Sequence, residues 1–192
     1  MKIFLTSVFV FFFAQTVGLA STAQAEKRLR EAVDQVLSIA VRASTTTQLA
    51  SQLEPVLPKY ISFGAMTRRS VGPGWRQFTP AQRSQATELF TKLVIRTYSS
   101  KFTPGERPEV TYQKATEPGA GRVEVPTGLL YKGERYQVIY RLESREGWRI
   151  TDIVAEGVSI VANYRTQFDA HFKKGGAEAV INSLVSSLEN PR

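Results

Sequence analysis

From Arg135 to Glu143 the residues alternate, with Tyr136, Val138, Tyr140 and Leu142 on one side and Arg135, Gln137, Ile139, Arg141 and Glu143 on the other. A period of two sends successive side chains to opposite faces of a β-sheet. One face is apolar and the other mainly polar, so the sheet buries a single side and elements of another kind must cover it. Val110 with Tyr112, and Val123 with Val125, repeat the alternation, and Trp148 to Ala155 reads as a fourth strand. Turns containing Gly119, Gly121, Gly133 and Gly147 separate these runs, as expected of antiparallel hairpins.

Helical periods flank the strands. Leu29, Val33, Val36, Leu37 and Ala40 form one stripe between Glu26 and Val41. Thr47 is positioned to cap a short helix through Glu54, and Tyr60 to Ser70 is read as a helix with Phe63 and Met66 on one side. Val71-Gly72-Pro73-Gly74 is a breaker. It lacks the Gly-Lys-Ser/Thr ending and the preceding strand of a phosphate-binding loop. Thr79-Pro80-Ala81-Gln82 joins a cap, a proline at the first helical position and a glutamine that can close a capping box. The helix it starts runs to about Lys101, with Ala86, Leu89, Phe90, Leu93, Val94 and Thr97 on one face. Val161, Tyr164, Phe168 and Phe172 mark a further helix, Gly175-Gly176 ends it, and Ala177, Val180, Ile181, Leu184, Val185 and Leu188 stripe the last one. Helices, a four-stranded antiparallel meander, then helices make an α+β fold, a curved sheet enclosed from both ends of the chain.

The N-terminus reads as an export leader. Met1-Lys2 is followed by an apolar run from Ile3 to Ala14, broken only by Thr6 and Ser7, and then by Ala23-Gln24-Ala25 before Glu26-Lys27-Arg28. That order is a secretory signal over residues 1–25, with cleavage expected after Ala25 and a single domain over residues 26–192. The chain has no cysteine, which excludes a lipid-anchored cysteine, disulfides and thiolate metal sites. Its formal net charge is +8, of which the leader carries only Lys2. The basic residues are scattered and the chain is exported, so the charge is read as attraction to anionic lipid surfaces rather than to nucleic acid.

Catalytic groups are scarce. His171 is the only histidine, so it lacks companions for a metal site, and no cofactor is expected. Gly157-Val158-Ser159-Ile160-Val161 misses the second glycine of a nucleophile elbow, which leaves Ser159 as a helix cap. Asp152 is the best candidate for a buried acid and is expected to be structural. Apolar side chains are abundant by contrast. Phe63, Met66, Leu93, Val94, Tyr98, Val125, Tyr136, Val138, Tyr140, Val154, Val158 and Val161 sit on elements that could face one side of the sheet. Composition alone leaves open whether they pack solidly or enclose a hollow.

Two blocks resemble the MlaC/toluene-tolerance family. The first, from about Ile61 to Phe102, holds Phe63, Gly72, Trp75, Thr79-Pro80-Ala81-Gln82-Arg83, Phe90, Leu93 and Tyr98. The second, from Gly147 to Leu188, holds Trp148, Asp152, Glu156-Gly157-Val158-Ser159, Tyr164-Arg165, Phe168 and Gly176. The resemblance implies a non-enzymatic periplasmic carrier whose apolar pocket, between sheet and helices, holds phospholipid acyl chains. It makes the apolar residues above candidates to line that pocket, and Arg69 and Arg165 candidates to neighbour the headgroup. It also implies an MCE-domain subunit of an inner-membrane ABC transporter, an outer-membrane lipoprotein–porin complex and transient membrane contact as partners, with outer-membrane lipid asymmetry as the outcome. Another envelope lipid, such as a hopanoid, fits the same pattern. A cone-like enzyme acting on a hydrophobic small molecule is the reading from a different class.

Overall fold

A computed structural model describes residues 14–145 and 147–190. The first helix, α1 (Ala14–Arg42), runs without a break through the expected leader junction. It buries Ala25, Leu29, Ala32, Ile39 and Ala40, and Val33 and Val36 pack against the same core. The next helix, α2 (Thr46–Leu53), is capped by Thr45 rather than Thr47, the Thr45 hydroxyl accepting from Gln48 N–H at 3.1 Å. Tyr60 to Ser62 are not part of a helix: Tyr60 ends a 3-10 turn over Leu57–Lys59, and the third helix, α3, spans Phe63–Val71. The intervening residues have another duty. Ser62 N–H donates to Ile150 O and Ile150 N–H to Tyr60 O, each at 2.8 Å, which adds a parallel bridge to the sheet edge.

The glycine-proline-glycine breaker becomes a 3-10 turn over Gly72–Gln77, and packing explains its glycines. Gly72 has φ +71°, a conformation L side chains rarely adopt, and the Arg165 guanidinium lies where a Cβ would be. At Gly74 a Cβ would come within 2.9 Å of the Phe172 ring, which stacks on Phe78 at 6.2 Å. Overpacking of this kind costs about 1–3 kcal/mol. Gly74→Ala is therefore expected to lower thermal stability, whereas Gly64→Ala, with nothing within 4 Å, is expected to be neutral or slightly stabilising. Parallel melting curves check the contrast.

Thr79 forms the anticipated capping box at the start of α4 (Pro80–Ser99): its hydroxyl accepts from Gln82 N–H, and its own N–H donates to the Gln82 side chain. Phe90 of α4 meets Tyr164 edge-on at 4.9 Å and Phe168 at 5.7 Å. Both belong to the last helical run, α5 (Ile160–Glu189). Gly175 and Gly176 leave helical geometry inside that run and divide it into two segments, at the point where the sequence predicted a break.

The sheet has six strands: β1 (Glu109–Tyr112), β2 (Thr116–Gly119), β3 (Arg122–Tyr131), β4 (Glu134–Glu143), β5 (Arg149–Ala155) and β6 (Val158–Ser159). The spatial order is β1-β3-β4-β5-β6, with β2 also on β3, and every strand pair is antiparallel. The expected four strands are all present, and the two additions are short. The β3–β4 hairpin turns at Lys132 and Gly133, with φ +53° and +82°, the primed geometry that matches strand twist.

Candidate functional site

Residues directly opposite one another on adjacent strands share a face. The register therefore lays out one face of the sheet in rows. Val123, Leu142 and Ile150 form the first row, and Val125, Tyr140 and Ile153 the second. Tyr112, Thr127, Val138 and Ala155 form the third, and Val110, Leu129 and Tyr136 the fourth. Helix α1 packs against β2, β3 and β5, its buried residues joining Val123, Val125, Leu142 and Ile150 in one core.

That core stops part-way along the face. Val138 is 8 % exposed yet lies outside the packed cluster, as do the half-buried Val110, Leu129 and Tyr136. Tyr140 stands at the boundary. Burial is the main cause that pushes its phenol up to about 12, with Tyr112 adding to it, yet its side chain keeps accessible surface. Its hydroxyl has no hydrogen-bond partner among the described residues. Tyr140 therefore marks where the packed core gives way to partly exposed residues of the same face. Tyr98 of α4 is similar: it is half-buried, and burial, then Tyr164 and Asp152, push it up to about 12. On the rim, the Arg30 guanidinium sits 3.7 Å over the Tyr112 ring.

The segment after α4 packs on the tip of the β3–β4 hairpin. Phe102 meets Tyr131 in a tilted pair at 5.5 Å, and Thr103 N–H donates to the Tyr131 hydroxyl at 2.7 Å. Lys132 donates to the Thr103 hydroxyl at 2.7 Å and pairs with Glu106 at 3.7 Å. Gly105 N–H donates to Ala40 O at 2.9 Å, so this strap ties the end of α1 to the tip of the β3–β4 hairpin.

The candidates read from sequence separate into groups. Val125, Tyr136, Val138 and Tyr140 share the face just described. Phe63, Met66, Leu93 and Val94 are buried in the packed core. Val161 is half-buried at the start of α5. Val154 is placed differently from its grouping with Val138, because it pairs with Ile139, opposite Pro126, on the reverse face. Val158 is 59 % exposed, because it lies in the short outer strand β6. The two arginines are engaged elsewhere. Arg69 pairs with Glu143 at 2.6 Å, at the end of β4 away from Tyr136, and its carbonyl accepts from Arg165 at 3.3 Å. Sequence reasoning left out Tyr112, Thr127 and Leu129 as companions of Val138. The every-second-residue pattern does extend from Val123 through Leu129, but Thr127 hides it. Thr127 is 1 % exposed and satisfies its hydroxyl by donating to Val138 O at 2.9 Å.

Asp152 is buried and fully engaged. One carboxylate oxygen accepts from the Ser159 hydroxyl at 2.7 Å and Arg141 at 3.0 Å; the other accepts from Ile153 N–H at 2.9 Å and Val161 N–H at 3.2 Å. Arg141 reaches Glu124 on its other side at 2.9 Å. Ser159 in turn caps α5 by accepting from Ala162 N–H at 3.0 Å. The acid pins the β5–α5 junction and presents no free oxygen to a substrate. Among the described residues no group of three or more metal-ligating side chains is assembled. None of the described helices is long and apolar enough to cross a membrane. Two surface clefts, of about 380 and 440 Å³, lie elsewhere, one beside Gln24, Lys27, Arg28 and Trp148, the other beside Pro73, Arg76, Asp169 and Phe172.

Residues 30–186 match the family model described as MlaC protein. The chain belongs to the MlaC family. Family members are non-enzymatic lipid-binding carriers of the periplasm. The fold is also that of a solved structure, the phospholipid-binding protein from Ralstonia solanacearum in complex with a phospholipid, at 26 % identity and a TM-score of 0.77. The match covers 85 % of this chain and 96 % of that one. No curated protein sequence matches this MlaC-family chain.

Proposed function

We propose that this chain is a periplasmic phospholipid carrier that holds acyl chains between α1 and the distal rows of the sheet, around Tyr140, Val138, Tyr136 and Leu129. The observation that carries the reading is that the packed core ends at Tyr140, beyond which the apolar Val138, Leu129 and Tyr136 of the same face lie outside it. The Ralstonia protein, bound to phospholipid in the same fold, supports the choice of ligand.

The energetic need is large. Two typical acyl chains hold roughly 28 methylenes, and each is worth about 0.8 kcal/mol when withdrawn from water. Passing bare through the periplasm would cost on the order of 20 kcal/mol by the same scale. An apolar seam that replaces bilayer contacts brings transfer close to isoenergetic, so direction has to come from the partners. In this reading those partners are an MCE-domain subunit of an inner-membrane ABC transporter and an outer-membrane lipoprotein–porin complex, and the result is outer-membrane lipid asymmetry. The apolar N-terminal leader supplies the export route.

Solvent extraction tests the ligand. Protein recovered from the periplasm is expected to carry near-stoichiometric phospholipid, read by mass spectrometry. Lipid-free protein that also takes up none from phospholipid vesicles would sink the reading. A hopanoid in the extract, without phospholipid, would change the lipid class.

A further inference from the structure

The leader junction expected from sequence meets an obstacle in the fold. Ala25, the residue before the expected cut, has no exposed surface and belongs to the core. It starts a stripe that continues one turn later with Leu29, also fully buried, and then Ala32. Upstream residues are tied down as well. The Ser21 hydroxyl donates to the Glu117 carboxylate on β2, and Trp148 Nε1 donates to Gln24 Oε1 at 3.4 Å.

We propose that the leader is cut between Ala20 and Ser21, so that Ser21 to Ala25 are the first residues of the mature domain. This rests on the export reading above. Gly18-Leu19-Ala20 offers the same small-x-small pattern as Ala23-Gln24-Ala25, and a leader ending there has the length of a secretory signal. The two cuts differ in where they leave the new ammonium group. A cut after Ala25 removes a core side chain and places a cation beside the buried stripe, where desolvating a charge is costly. A cut after Ala20 places the ammonium next to Glu117, whose carboxylate already faces Ser21. It also keeps Ala25 and Gln24 in place.

The test is N-terminal sequencing and intact-mass measurement of protein exported from the full chain. A chain starting at Ser21 supports the proposal, and a chain starting at Glu26 overturns it while leaving export intact. A chain retained with its first 20 residues overturns the export reading and this junction with it. A second measurement compares purified chains that begin at Ser21 and at Glu26. The shorter is expected to melt about 3–6 °C lower, and equal melting would show that Ser21 to Ala25 contribute nothing to the domain, against the proposal.

Discussion

Asp152→Ala is expected to melt about 6–12 °C below the parent, the equivalent of about 3 kcal/mol for a domain of this size. The side chain is 6 % exposed as a residue and accepts from two backbone N–H groups, a hydroxyl and a guanidinium. Hydrogen bonds to a charged group contribute about 1.5–3 kcal/mol each when measured singly. The total is smaller than their sum, because Arg141 keeps Glu124 and is 45 % exposed, where solvent screens the pair. Losing the acid also strands Val161 N–H in the first turn of α5. Asp152→Asn keeps the shape and one acceptor oxygen, so it should fall between the two. Thermal unfolding followed by circular dichroism gives the comparison, and a drop of less than about 1 kcal/mol would mean that the junction is held by packing instead.

The second large effect concerns loading. Val138→Asp is expected to reduce bound phospholipid at least about tenfold, a loss of about 1.4 kcal/mol or more. A carboxylate in the third row meets acyl chains in the loaded state and has no cation opposite it there, since its cross-strand neighbours are Thr127 and Ala155. Val138 stands outside the packed cluster but is only 8 % exposed, so thermal unfolding is read beside loading, and a folded variant with reduced lipid is the expected outcome. Val158→Asp, at a site already 59 % exposed, is the matched control and should load normally. Phosphorus per protein after extraction distinguishes the pair. Equal loading of Val138→Asp and the parent would move the acyl chains off this face.

Strong local patterns made most of the fold readable. The capping residues of α4, the alternation of β4 and the glycine pair in α5 each act through nearest neighbours, so a linear reading finds them. What stayed hidden depends on pairing partners far along the chain. Tyr60 to Ser62 look helical until Ile150 requires their backbone. Strand β2 contains Pro118 and Gly119, poor strand formers, and is held by its pairing with β3 and by α1 packed against it. The candidate site shows the same division. Val125, Tyr136, Val138 and Tyr140 share a sheet face as their period predicts, but Val154 does not join it, because β5 carries an irregular register between the partners of Arg141 and Leu142. An extra residue there sends the side chains beyond it to opposite faces from those that simple counting assigns. For Arg69 and Arg165 the charge was legible, but their intramolecular partners were not.

The interruption at Gly175 and Gly176, where φ and ψ swing to +62° and −148° at the second residue, resets the angular phase of the final helix. Tyr164 and Phe168 upstream and Val180, Ile181 and Leu184 downstream each meet their own neighbours without having to keep a common 3.6-residue count across thirty positions. An insertion or deletion on one side of that pivot leaves the stripe on the other side in phase, so the two halves can diverge in length independently.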